Sequence, residues 1–199
     1  MDRRSSRYLK GAGWGSLYVA SIVLAAYLVA TLGVVPVGLG LYAPAGAYVI
    51  GVTMVLRDLT QDQLGPRWTY AAILLGTGLA AAISPAVAVA SAVAFLGSET
   101  LDMIVYTPLR ARGRVVTAIL ASNFVGTLVD SFLFLMIAFG SLEFFTGQVW
   151  AKLVSTALAA VAVGVLYRNR RDKTPAYLRD REKRSGAVLR QERAVAQPL

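Results

Sequence analysis

An all-α integral membrane protein is the fold this sequence predicts: six transmembrane helices in a compact bundle, N-in/C-in, around a central polar cavity. Three observations carry that expectation. The 199 residues are 56% hydrophobic and 16% charged, with a mean hydropathy of +0.59, whereas soluble domains run near a quarter charged. Six apolar stretches follow one another, each near the roughly 20 residues that cross a bilayer. Lys and Arg gather in alternate connections, the pattern that marks cytoplasmic loops.

Residues 1–14 form a short basic N-terminus with Arg3, Arg4, Arg7 and Lys10. The apolar run at 15–37 is too long for a signal-peptide core and lacks a cleavage site, so it reads as a first helix that stays attached. VPVGLGLYAPAG, 35–46, is rich in Gly and Pro and uncharged, which predicts a turn at the opposite face. A second helix at 43–60 runs into VLRDLTQDQLG, 55–65. The third, Trp68 to Ile83, is short and rich in Ala and Gly, suited to close packing. Ser84-Pro85 reads as a tight turn, followed by helices at 86–107, 115–139 and 149–167. The membrane domain is thus 15–167. The polar, charge-dense tail at 168–199 reads as cytoplasmic and partly helical or disordered.

Orientation follows from the basic residues. They occupy the N-terminal arm, 57–67, RARGR at 110–114 and the tail, and Lys152 stands apart at the outer start of helix six. This places a multi-pass protein in the inner membrane with both termini cytoplasmic. The net charge of +9 is accounted for by topology and a solvated tail touching anionic lipid, so no nucleic-acid partner is expected. Trp14, Trp68 and Trp150 lie near helix ends as interfacial anchors.

The chain has no Cys and no His. That removes disulfides, thiolate and imidazole metal sites, Cys nucleophiles and the commonest general base. There is no P-loop and no G-x-G-x-x-G, hence no nucleotide-driven motor within the chain. No cofactor, no metal and no enzymatic activity are expected.

What needs explaining is charge inside lipid, where each group costs about 2.5–3.5 kcal/mol at a helix centre. Arg57, Asp58, Glu99, Asp102, Asn123 and Asp130 all lie within predicted spans. Phe95, Glu99, Asp102 and Tyr106 form one stripe at helical spacing, and Asn123, Gly126, Thr127, Asp130 and Phe134 a second. At 1.5 Å per residue, Asp58, Glu99 and Asn123 sit at similar depth, roughly 9–13 Å from the cytoplasmic ends of their helices. Asp130 stands about two turns deeper. Groups from three helices at one level suit a binding cavity.

Structural readings stand beside this one. Arg57 could staple the bundle, Asp102 could snorkel, Asn123 could join helices, and Asp62 and Arg67 could lie in the cytoplasmic loop. Glu143 reads as solvated in an outer turn. Arg57 and Asp58 point about 100° apart on a helix, which predicts a division of labour. Asp58 would face the cavity with Gln61, and Arg57 would turn to Glu99 or Asp130.

VLRDLTQDQLG (55–65), SAVAFLGSETLDMIVYTPLR (91–110) and SNFVGTLVDSFLFLMIAFG (122–140) together resemble the VUT family of queuosine precursor transporters. The resemblance keeps order and spacing across about residues 45–140. It departs from the family's usual Trp or Arg-Asn pair just before the helix-five motif, where this chain has RVVTAILASN. It implies a six-helix importer of 7-cyano-7-deazaguanine or a related deazapurine, with Arg57, Asp58, Glu99, Asp102, Asn123 and Asp130 as ligand-site residues. The chemistry agrees: a carboxylate can take the neighbouring N1–H and exocyclic amine donors of a deazaguanine, and Asn or Arg can serve O6. Phe95, Tyr106 or Phe134 could stack on the flat ring.

Two alternatives stay open at the level of sequence. One is a substrate-binding subunit needing a separate ATP-driven energising module, and the basic loops and small-residue helices suit that docking, or a homo-oligomer, equally. The other is a membrane enzyme using Asp58/Asp62 or Glu99/Asp102 with a divalent metal on a lipid phosphate, against which stands the lack of a D-G-x-x-A-R signature.

Overall fold

The computed structural model describes residues 3–83, 85–168 and 179. Six helices follow in order: α1 (Arg3–Leu32), α2 (Ala47–Leu64), α3 (Pro66–Ile83), α4 (Pro85–Ala111), α5 (Val115–Phe139) and α6 (Phe145–Arg168). Between α1 and α2 lies a hairpin of β1 (Val34–Gly38) and β2 (Leu41–Pro44). Pro66 and Pro85 each open a helix, the position where a missing N–H costs nothing. The tail expected at 168–199 falls outside the described residues beyond 168 and 179, as does Ser84 of the expected turn.

Several boundaries differ from the sequence expectation for identifiable reasons. The basic arm is not separate, because α1 starts at Arg3. Thirty residues span roughly 45 Å, more than a hydrocarbon core of about 30 Å. The whole RDLTQDQ stretch is helical, since α2 runs on to Leu64. Pro108 does not end α4, which continues to Ala111. A proline sacrifices one backbone bond to the preceding turn, and tertiary packing can absorb that loss. Finally, α6 begins at Phe145, so Lys152 sits two turns inside a helix.

The segment at 35–46 is a hairpin where a turn was expected. Val34 pairs with Pro44, Val35 with Ala43, Pro36 with Tyr42 and Gly38 with Leu41, antiparallel and with an irregularity after Pro36. Gly38, Leu39 and Gly40 all have positive φ, which glycine tolerates freely and leucine rarely adopts. Val37 and Ala43 pack on Ala47 and Ala151, and Tyr48 Oη donates to the Val37 carbonyl at 2.7 Å. The hairpin thus closes over the start of α2 and the first turns of α6. Its alternation is too short, and too interrupted by Gly and Pro, to read as strand.

The helices close a ring in the order α1, α3, α4, α5, α6, α2, and α2 also touches α3, α4 and α5. This central position explains the most polar helix of the set. Every residue from Arg57 to Gln63 is buried, so its polar groups face protein on all sides. Outward apolar surface on α2 is confined to its first turns, at Tyr48 and Val52, while the other helices expose Leu24, Leu75, Ile104, Phe132 and Leu158. Among the described residues, Gly11–Leu32, Val115–Phe139 and Phe145–Val165 are long and apolar enough to cross a membrane. The protein is an all-α membrane protein carrying one small hairpin.

Close approach of α2 to α6 depends on Gly51. A Cβ there would collide with Ser155 Oγ and with the Lys152 carbonyl oxygen, and the latter cannot rotate away. Thr156 Oγ1 donates to the Gly51 carbonyl at 3.0 Å across the same contact. Gly51→Ala is therefore expected to destabilise the bundle by about 1–3 kcal/mol through overpacking. A lowered apparent Tm in detergent would show this; an unchanged Tm would mean α6 can move aside without loss.

Candidate ligand site

Arg57 is fully buried and its guanidinium meets three carboxylates. Nε donates to Glu99 Oε2 at 2.7 Å, one terminal nitrogen lies 2.8 Å from Asp58 Oδ1, and the other pairs with Asp102. The Tyr106 ring centre lies 5.7 Å from its central carbon, within reach of a cation–π contact. The α4 stripe of Glu99, Asp102 and Tyr106 thus faces α2. On the α5 side, Asn123 Nδ2 donates to Asp58 Oδ2 at 3.2 Å. Five of the six candidate residues, from α2, α4 and α5, share one buried polar cluster.

Arg57 does turn to Glu99, yet it also reaches Asp58. The 100° argument concerns Cβ directions, and a long guanidinium arm can fold back to its helical neighbour. Asp102 does not snorkel, because Arg57 takes its carboxylate inside the bundle. Gln61 shares the Asp58 face but uses its amide on α4, donating to Thr107 Oγ1 at 2.9 Å.

Asp130 lies outside this set of contacts. It pairs with Lys152 of α6, whose ammonium also donates to Ser131 Oγ at 3.2 Å. Asp62 is no loop residue. Arg110 donates to its Oδ2 from Nε at 2.8 Å and from a terminal nitrogen at 2.6 Å, while Tyr106 Oη donates to Oδ1 at 2.9 Å. Sequence reasoning treated Arg110 and Lys152 as topological charges and missed both pairs. A usable signal existed for Arg110, which lies four residues beyond Tyr106 and continues the Glu99 stripe.

Of the suggested stacking rings, Tyr106 is covered by Arg57 and bonded to Asp62. Phe134 packs with Ala94 and Leu135, its ring edge-on to Phe139 at 5.9 Å. The Phe95 side chain falls outside the described ones.

The cluster is rich in acceptors. Asp102 Oδ1, Asn123 Oδ1 and Gln61 Oε1 are buried and find no hydrogen-bond donor among the described residues. Buried acceptors normally have partners, so the site is chemically suited to a ligand bearing N–H groups. By contrast, an open groove of about 850 Å³ between α1 and α3, lined by residues such as Val19, Val23, Leu75 and Leu79, contains none of the six candidates. Its walls are apolar and face the lipid side, so it offers little to orient a polar solute.

No curated protein and no solved structure matches the chain. Residues 79–167 match the family described as "Putative vitamin uptake transporter", a stretch that includes Glu99, Asp102, Arg110, Asn123, Asp130 and Lys152 and stops short of Arg57 and Asp58. Over that stretch, just under half of its length, the chain is similar to this transporter family, and the apolar helices suit a membrane protein.

Proposed function

We propose that the protein imports a queuosine precursor, 7-cyano-7-deazaguanine or a related deazapurine, across the cytoplasmic membrane. The observation that carries this reading is the buried convergence of Arg57, Asp58, Glu99, Asp102 and Asn123 from three helices. In it, carboxylates bind the N1–H and amine edge of the base, and Asn123 or Arg57 serves O6. Asp130 contributes from one layer further out, through its pair with Lys152. The test is restoration of queuosine in tRNA of cells that cannot make the precursor but are supplied with it. Restoration by the expressed chain is expected, and its failure in cells with inserted protein counts against this substrate.

All six helices span the membrane in this reading, with both termini inside. The end of the bundle where α1 starts also carries Arg67, Arg112 and Arg114, all exposed, as expected of a cytoplasmic face. Reporter fusions after Gly40, Pro85 and Gly147 should report an external location, and one after Arg171 an internal one. An external signal at the C-terminus would overturn the orientation.

A further inference from the structure

Five buried carboxylates, Asp58, Asp62, Glu99, Asp102 and Asp130, face three buried cations, Arg57, Arg110 and Lys152. Arg110 pairs with Asp62 and Lys152 with Asp130. Arg57 alone meets three acids. With every acid ionised, the central cluster would carry two surplus negative charges. The other Lys and Arg between residues 11 and 167 are Arg67, Arg112 and Arg114, all exposed at the basic end, so none of them neutralises that surplus. A buried charge without compensation takes up a proton in preference to remaining bare.

The hydrogen-bond pattern points the same way independently of the charge count. The Asn123 amide is turned into the cluster, since its Nδ2 donates to Asp58. Its Oδ1, like Asp102 Oδ1, has no donor among the described residues. A carboxyl that carries a proton becomes a donor, which is what an acceptor-rich cluster lacks. A hard metal cation fits less well, because it needs several oxygens around it. The three carboxylates here converge on the Arg57 guanidinium, with no acidic group placed to hold an ion among the described residues.

Arg57 of α2 contacts both Glu99 and Asp102, and Tyr18 of α1 and Asp130 of α5 also act on Glu99. Asp58 and Tyr106 surround the same guanidinium, and Asn123 bonds its Asp58 partner. Lys152 of α6 is engaged by Asp130, and the charged residue of α3, Arg67, is exposed. Arg57 is therefore the one cation in direct contact with either acid among the described residues.

We propose that the Arg57 cluster is a proton site coupling import to proton entry, with Glu99 and Asp102 as carriers. This rests on reading the protein as an importer. A proton from the outer water bonds to a carboxylate oxygen of one of these acids. On the inner side that O–H bond breaks, the proton passes to the inner water, and the carboxylate closes again on Arg57.

The test uses the purified full chain in liposomes with labelled 7-cyano-7-deazaguanine. Exchange without any gradient reports recognition. An acid-outside gradient of about one pH unit should then drive accumulation of up to about tenfold per coupled proton, while an inward sodium gradient should drive none. Exchange indifferent to the pH gradient, or accumulation driven by sodium, overturns the proton site. Absence of exchange defeats the importer reading instead. The proton site is then judged by infrared spectroscopy of the wild-type protein near neutral pH. A carboxylic-acid carbonyl band, shifted in heavy water and weakened by Glu99→Gln or Asp102→Asn, is expected. A wild-type protein without that band overturns the proposal whatever the substrate.

Discussion

Glu99→Gln is expected to abolish or sharply reduce uptake while the protein inserts and folds normally. Glu99 is buried and its Oε2 is engaged by Arg57 Nε at 2.7 Å. The substitution keeps the volume but removes the charge and replaces one acceptor oxygen by an amide donor, which repels ligand N–H groups. Hydrogen bonds to charged groups contribute about 1.5–3 kcal/mol, or roughly 10- to 100-fold in affinity. Folding should survive because Arg57 keeps Asp58 and Asp102. Uptake measured at equal amounts of inserted protein decides the matter, and normal transport would remove Glu99 from the proposed site.

Arg57→Ala should do the opposite, lowering the amount of folded protein itself. Removing this guanidinium leaves three carboxylates of α2 and α4 buried together without their cation. Breaking a buried pair from one side costs about 3–5 kcal/mol, a large share of a typical folding free energy of about 5–15 kcal/mol. The double variant isolates the cause. Arg57→Gln combined with Glu99→Gln should be recovered in better-folded form than Arg57→Gln alone, because one stranded charge is gone. Equal yields and equal Tm values for the two would mean that the Arg57–Glu99 contact does not hold α2 to α4.

Much of the architecture could be read without coordinates because lipid leaves few choices. Apolar stretches of spanning length become helices, since a bilayer offers no water to satisfy other backbone conformations. Five of the helices lie close to where hydropathy put them. The hairpin at 34–44 was not legible, because its strands are stabilised by packing on Ala47 and Ala151, residues that no local pattern links to it. Pro108 likewise misled, since a proline rule describes an isolated helix and α4 is embedded among neighbours.

The site divides in the same way. Depth and stripe arguments were enough to nominate Arg57, Asp58, Glu99, Asp102, Asn123 and Asp130, and to aim Arg57 at Glu99 or Asp130, of which the structure pairs it with Glu99. They rest on helical geometry, which any apolar span obeys. Partnerships across helices were not available from spacing. Asp62 finds Arg110 48 residues away, and Asp130 finds Lys152 22 residues away. A basic residue near a helix end looks the same to the positive-inside rule whether it meets water or a buried acid. The sequence by itself determined the membrane class, the helices and the polar residues that could not face lipid. Only the tertiary structure decided which acid answers which cation, because charge pairing depends on distances across the bundle that arise once α2 is placed at its centre.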